Sequence, residues 1–186
     1  MLADPRRIGA IAPASRALSE AIAREVLATR PGHVIELGAG TGAITRALLG
    51  QRTHFDSLSI IERSPRLAEC LSRRFPGLAV HRLCASQLDT LHRGRLDVTT
   101  VVSSLPFRSL PREDRQRIEQ AILRLSHRSR EFRFIQYSYL GRQPFALGDQ
   151  NPLQWTRRRT ILANLPPATV WVLAPRLPSP PPPDRP

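Results

Sequence analysis

Two hydrophobic periods alternate along the chain. At three- and four-residue spacing, Leu18, Ala21, Ile22 and Val26 predict a helix from a Ser15 cap to about Ala28, stopped by Pro31-Gly32. Val34, Ile35 and Leu37 form a short apolar run suited to a central strand. A glycine turn follows, and then Ile44, Ala47 and Leu48 return to helical spacing. Ser57 to Ile61 predicts a second strand, ending at Glu62. Ser64-Pro65 opens a helix with Leu67, Leu71 and Phe75 on one face, and Pro76-Gly77 closes it. Further strands are expected over Leu78 to Leu83, Asp97 to Ser103 and Phe132 to Tyr139. A helix opened by Pro111 and carrying Ile118, Ala121, Ile122 and Leu125 separates the last two. Thr156 to Ala163 and Thr169 to Leu173 read as a closing hairpin, joined by Asn164-Leu165-Pro166-Pro167.

Strand–helix alternation predicts an α/β fold with a mostly parallel sheet, helices on both faces and a C-terminal antiparallel hairpin. The expected organisation is one domain over residues 1–174, opening on an irregular arm to about Pro13, then a disordered proline-rich tail over 175–186.

Composition adds three features. The 28 basic residues outnumber the 15 acidic ones, for a net charge of +13, and every fixed cation is an arginine. Such charge implies an anionic partner: nucleic acid, an acidic membrane surface or a phosphate-bearing substrate. Cys70 and Cys84, the two cysteines, suggest neither a disulfide scaffold nor a zinc site, and the scattered histidines lack metal spacing, so no metal is expected. No sustained apolar stretch supports a signal peptide or membrane span, and the expected location is cytoplasmic.

The glycine turn carries the candidate chemistry. Gly38, Gly40 and Gly42 alternate in Glu36-Leu37-Gly38-Ala39-Gly40-Thr41-Gly42, unlike the Gly-x-Gly-x-x-Gly of dinucleotide folds. In an open sheet a ligand lies beyond the carboxyl ends of the strands, where strand order reverses. Glu62 ends the second strand about twenty residues past the turn, a spacing suited to ribose hydroxyls. The Ser103-Ser104-Leu105-Pro106-Phe107 loop offers no strong base or nucleophile, which suits direct displacement onto a positioned amine.

Motif I, Glu-Leu-Gly-x-Gly-x-Gly, resembles that of the class I S-adenosylmethionine (SAM)-dependent methyltransferases, whose sheet is Rossmann-like. The Asp4-to-Leu18 arm, Ile61-Glu62-Arg63-Ser64-Pro65, the Ser103-to-Pro111 loop and the Asn164-to-Trp171 hairpin resemble the bacterial phospholipid N-methyltransferases. That resemblance implies stepwise methyl transfer to phosphatidylethanolamine or its methylated derivatives, from S-adenosyl-L-methionine, by an enzyme peripheral on the inner face of the membrane. It implies that Glu36, Gly38, Ala39, Gly40 and Gly42 hold the methionine part of the cofactor. Glu62 would hold the ribose, Arg63, Cys84 and Ala85 would also bind the cofactor, with Cys84 at the position whose acid meets the adenine amino group, and Ser103, Leu105 and Pro106 would border the methyl group, Ser103 also touching the cofactor. Tyr137 or Tyr139 would meet the amine headgroup or its phosphate, and Arg6, Arg7 and Arg108 would attract anionic lipid. Cys84 stands where the family often has an aspartate, and Ser104 where it commonly has glycine. The family's amphipathic membrane helix normally precedes the Asp-Pro-Arg-Arg arm, so a truncated start or weaker membrane attachment is expected. The related ribosomal RNA adenine dimethyltransferases supply the alternative, an RNA substrate with Phe107 stacking on the base. A basic RNA-binding module without catalysis is a third reading.

Overall fold

The computed structural model describes residues 14–51, 54–91, 96–148 and 151–176. The arm with Arg6 and Arg7, and nearly all of the proline-rich tail, lie outside the described residues. In chain order the elements are α1 (Arg16–Leu27), β1 (His33–Leu37), α2 (Ala43–Leu49), β2 (Ser57–Ile61), α3 (Pro65–Arg74) and β3 (Ala79–His81). A 3-10 helix (Ala85–Thr90), β4 (Leu96–Ser103), α4 (Arg112–Arg128), β5 (Ser129–Tyr139), β6 (Leu153–Ile161) and β7 (Ala168–Pro175) follow.

The predicted caps are made. The Ser15 hydroxyl accepts from Leu18 N at 3.2 Å and the Ser64 hydroxyl from Leu67 N at 3.4 Å, with Pro65 in the first turn of α3. Each satisfies a helix N–H that would otherwise lack a partner.

The seven strands form one sheet in the order β3-β2-β1-β4-β5-β7-β6. β3 to β5 run parallel, and β7 inserts antiparallel between β5 and β6. This is the α/β class expected, with its Rossmann-like sheet and antiparallel end. Strand alternation sorts the core onto two faces. Val34, Val102 and Ile135 pack with Leu18, Ile22 and Val26 of α1 and Ile44 and Leu48 of α2. Ile35, Val101 and Phe134 point the other way, onto Leu88 and onto Ile118, Ile122 and Leu125 of α4.

Register places the site. Leu37 pairs with Ile61 and with Ser103, and Ser103 pairs with Gln136. Four strands therefore reach one rung together, and the chain leaves β1, β2 and β4 at a common edge. The order reverses between β1 and β4, the place where open α/β sheets bind ligands, and the glycine turn meets the Ser104–Phe107 loop there, Leu105 lying against Gly38.

Several boundaries differ from expectation. β3 is three residues long, pairing with β2 over Ala79 to His81 alone. β5 starts at Ser129, where main-chain pairing with β4 carries polar residues into the strand. β6 runs from Leu153 to Ile161, with its exposed Arg157-Arg158-Arg159 run on the sheet edge. The 3-10 helix was not expected. It is tied to α4 by Arg124, whose Nε lies 2.8 Å from Asp89 Oδ2.

Beyond β5 the chain turns sharply. Leu140 has φ 60° and Gly141 φ 63°, and the Ser138 hydroxyl donates to the Arg142 carbonyl across the turn. A leucine in this left-handed conformation is strained by about 1–2 kcal/mol. Asparagine tolerates it, so Leu140→Asn is expected to raise stability by about 1 kcal/mol, read as a higher urea midpoint.

Candidate active site

The three glycines of the turn all have positive φ: 68° at Gly38, 56° at Gly40 and 79° at Gly42. Their surroundings differ. A Cβ on Gly38 would lie 2.7 Å from Leu105 Cδ2, and one on Gly42 would lie 2.5 Å from Phe75 Cε2 and 3.0 Å from Leu71 Cδ2. Gly40 meets nothing nearer than the Gly38 carbonyl at 4.0 Å. Gly38 therefore lets the β4 loop close over the turn, and Gly42 seats the turn against α3. Gly40 is the position where a ligand can approach bare backbone.

Glu36 is fully buried one residue before the end of β1. Its Oε2 accepts from the Thr45 hydroxyl at 2.7 Å, and its Oε1 has no partner. Burial pushes its pKa up to about 7, against the Thr45 hydrogen bonds, and the Glu62 charge adds to the rise. Glu62 is also buried. Its Oε2 accepts from Gly40 N at 3.1 Å and its Oε1 from Ser64 N at 2.9 Å. It is thus tied to backbone and not to Arg63, which is exposed. Each carboxylate oxygen keeps capacity for another donor.

The remaining residues expected at the cofactor divide. Ala39 is buried with Ile60 and Leu71, and Ala85 with Ile35, Leu37 and Leu88. Cys84 is a half-buried free thiol that caps the 3-10 helix, its backbone N–H donating to Gln87 Oε1 at 3.1 Å.

At the end of β4, Ser103 is buried and its hydroxyl accepts from Leu105 N at 3.2 Å. Leu105 covers Gly38, and Leu105 and Pro106 line a cavity of about 60 Å³ with Gln136, Tyr137 and Tyr139. The two tyrosines stack edge to face at 5.9 Å within the last residues of β5, where they pair with β7. Burial raises both phenol pKa values, so both hydroxyls stay protonated at neutral pH. The Tyr137 hydroxyl neighbours Tyr139 and Ser104, and the Tyr139 hydroxyl neighbours Asn164. Arg108 is exposed beside this cavity. Larger hollows exist elsewhere, among them one of about 600 Å³ beside Thr99 and Phe132, toward the starts of β4 and β5 and away from the loops that carry the polar groups above.

Phe107 corrects an expectation. It is 2% exposed and packs against Phe134 at 6.0 Å and Phe145 at 5.1 Å. It belongs to the core on the α4 side, where Phe134 and Phe145 pack on its ring, and it lines the small β4-loop cavity while 2% exposed, so it is not the exposed stacking ring expected.

Three polar residues were not singled out from sequence. Thr45 holds Glu36. Gln136, 2% exposed, donates to the carbonyls of Leu105 at 3.1 Å and Tyr137 at 2.8 Å, fixing the β4 loop to β5. Its position as a lone amide in Phe134-Ile135-Gln136-Tyr137 was the available signal. Asn164 accepts from Ser15 N at 2.9 Å and donates to the Pro166 carbonyl at 2.7 Å, joining the hairpin loop to the start of α1.

No protein-family model matches the chain. Solved structures do. The magnesium protoporphyrin IX methyltransferase of Synechocystis PCC 6803, with bound SAM, superposes with TM-score 0.59 at 11% identity over 87% of this chain and 79% of that one. The 23S rRNA methyltransferase ErmE gives 0.57 at 19% identity over 87% and 68%. The N-methyltransferase NodS of Bradyrhizobium japonicum gives 0.58 at 15% over 86% and 94%. The fold is a methyltransferase fold. Among relatives by sequence, an ornithine lipid N-methyltransferase of Singulisphaera acidiphila is 35% identical over 112 residues, 57% of this chain and 58% of that protein. A probable ribosomal RNA small subunit methyltransferase A of Natronomonas pharaonis is 38% identical over 76 residues, 40% of this chain and 27% of that protein. The matches thus span little more than half of the first relative and about a quarter of the second. Among the described residues, no helix is long and apolar enough to cross a membrane.

Two measurements test this geometry. The native pKa of Glu36, about 7, exceeds its ordinary 4.5, so the folded state binds the proton more tightly than the unfolded state. Its contribution to stability is full below pH 4.5 and is lost as pH rises toward 7, by up to about 3 kcal/mol. Urea titrations across that window are expected to fall with pH in the wild type and to lose this component of the slope in Glu36→Gln. Among the glycines, Gly42→Ala is expected to cost about 2–4 kcal/mol through collision with Phe75 and backbone strain. Gly40→Ala carries the strain alone, about 1–2 kcal/mol, in the same urea assay.

Proposed function

We propose that this chain is a SAM-dependent N-methyltransferase acting on the amine of a phospholipid or related amino-lipid headgroup at a membrane surface. The observation that carries the lipid reading is the burial of Phe107: the ring of the β4 loop is packed into the core and not displayed for stacking, and the small cavity beside it takes its polar lining from Gln136, Tyr137, Ser138 and Tyr139. Phosphatidylethanolamine and its methylated derivatives remain the acceptors we favour. The ornithine lipid relative supports the wider class of amino lipids.

The residues at the turn fit the cofactor. The unpartnered Glu36 oxygen is an acceptor for an amino group, Gly40 leaves room for close approach, and Glu62 retains acceptor capacity for ribose hydroxyls. Fold neighbours with bound SAM support the same cofactor. When bound, SAM would supply a methyl group on a sulfonium: the lone pair of the neutral amine would form the N–C bond as the C–S bond breaks, S-adenosylhomocysteine would leave, and the amine's proton would pass to solvent, with no nucleophile required from the protein. This chain's part is alignment, worth on the order of 7–11 kcal/mol when geometry is held closely. The protonated Tyr137 and Tyr139 hydroxyls do not act as bases; their oxygens accept from the amine N–H and orient it. Cys84 offers a thiol where the family often has an aspartate, so adenine would be held there without a carboxylate.

The second reading, methylation of RNA adenine, draws on the ribosomal relative and the charge of +13. The deciding experiment combines calorimetry with labelled SAM and, separately, mixed micelles of phosphatidylethanolamine, micelles of ornithine lipid, and undermethylated ribosomal RNA. Label is expected in lipid, with SAM binding abolished in Gly40→Ala. Tyr139→Phe is expected to lose about tenfold or more in lipid methylation with SAM affinity kept. Label in RNA and not in lipid overturns the lipid reading, and absence of SAM binding overturns the enzymatic one.

A further inference from the structure

Among the described residues, the exposed large apolar side chains are Leu140, Leu162 and Leu165, at 85%, 78% and 85% exposure. Single exposed leucines need no explanation, but these share one place. Tyr139 at the end of β5 and Ile161 at the end of β6 pair with the same residue of β7, Ala168. Leu140 and Leu162 each follow directly, so they stand one residue beyond a common rung on either side of β7. Two strand spacings separate their chains there, about 10 Å. Leu165 lies in the loop 162–167 that closes the hairpin over the same rung. The rim they form borders the acceptor cavity, since Tyr139 precedes Leu140 and Asn164, which neighbours the Tyr139 hydroxyl, precedes Leu165.

Nothing in folding requires leucine at these points. Turn positions ordinarily carry Gly, Asn, Asp or Ser. Leu140 is doubly unfavourable, exposed to water and held at φ 60° beside Gly141. Strain kept in an exposed apolar side chain at a pocket mouth points to a use outside the fold.

The flanking charge identifies the occupant. Arg142, Arg157 and Arg159 are exposed and form no ion pair among the described residues. Arg157 sits at this turn: its Nη2 lies 3.8 Å from where a Gly141 Cβ would stand. Leucines at a tip with guanidinium groups around them that form no ion pair, Arg157 Nη2 donating to the Thr160 hydroxyl at 3.0 Å, match the layering of an anionic bilayer, acyl chains below and phosphates above.

We propose that Leu140, Leu162 and Leu165 form a membrane-docking edge that inserts into an anionic phospholipid surface, with Arg142, Arg157 and Arg159 on the headgroup phosphates. The edge rests on the lipid reading above and adds the direction of approach: the acceptor cavity faces the bilayer, and a headgroup reaches Tyr139 without leaving the membrane.

The test is co-sedimentation of the full chain with vesicles of phosphatidylglycerol and phosphatidylethanolamine. Wild type is expected to bind. Leu140→Asn/Leu162→Ser/Leu165→Ser is expected to bind about tenfold or more weakly, with a urea midpoint no lower than that of wild type and SAM affinity maintained. Arg142→Gln/Arg157→Gln/Arg159→Gln is expected to bind weakly and to lose most of the salt dependence. The proposal is overturned by a wild type that does not bind vesicles or a leucine variant that binds as wild type does. It is equally overturned by a wild-type dimer that the leucine substitutions convert to monomer in light scattering, which would make the edge a contact between copies. Methylation of a short-chain amino lipid dissolved as monomers separates the two ideas. It needs no surface, so the leucine variant is expected to match wild type. Its absence in wild type counts against the lipid reading, whereas activity there with unimpaired vesicle binding by the leucine variant counts against the edge alone.

Discussion

Glu62 accepts one hydrogen bond from the glycine turn after β1 and another from the first residues before α3. That pair of bonds couples two loops that register alone would merely place side by side. Leu37 and Ile61 end β1 and β2 on the same rung, but a glycine turn with three positive φ angles has many conformations available once it leaves the sheet. Holding Gly40 N to a buried carboxylate selects one of them. The selected form turns Gly42 against Phe75 and Leu71, and lets Leu105 descend onto Gly38. The β4 loop is then fixed from its other side by Gln136, which reaches from β5 to the Leu105 carbonyl. A chain of main-chain and buried polar contacts thus runs from β2 to β5 across the point where strand order reverses.

Glu36 lies beneath that chain and is its weak point energetically. A fully buried carboxylate with one oxygen unpartnered opposes its own ionisation. An unfilled acceptor at the heart of a parallel sheet is poor design for stability alone. It is good design for a site that must recognise a cationic or hydrogen-bond-donating ligand, because binding then removes a cost already present in the fold. Stability and ligand recognition are linked through the same oxygen.

Much of this was legible in the sequence because short-range chemistry dictates it. Alternation of apolar periods marked all seven strands, though not all of their ends, and Ser15 and Ser64 marked helix starts that the structure makes with side-chain caps. Positions at the site that depend on contacts distant in sequence were less legible. Gly38, Gly40 and Gly42 look equivalent in sequence, yet two are required by Leu105 and Phe75, which lie 67 and 33 residues away respectively, and one by open space. Phe107 could be read as an exposed stacking ring until its neighbours Phe134 and Phe145 were known. β6 was misplaced by three residues at its start, since an edge strand with one exposed face has a weak hydrophobic period. Asn164 stood within a recognised segment, but its function as the tie between the hairpin loop and Ser15 required the fold.

The two halves of the sheet carry different demands. From β3 to β1 the loops are short, backbone-bonded and matched to a ligand held against glycine. From β4 to β7 they carry the variable chemistry: a loop without a base, paired phenols kept neutral by burial, and a hairpin that brings Asn164 to the pocket. In the described chain no crossover helix links β5 to β6, so the segment after Tyr139 folds back as loop and leaves the carboxyl rim open on that side. The proposed docking edge draws on this rim, which is apolar at its tips and bordered by arginines that form no ion pair among the described residues. A soluble substrate would gain nothing from exposed leucines, and a nucleic acid would favour stacking rings at the same positions. The arrangement of the rim, more than the glycine turn, therefore bears on which acceptor this methyltransferase fold serves.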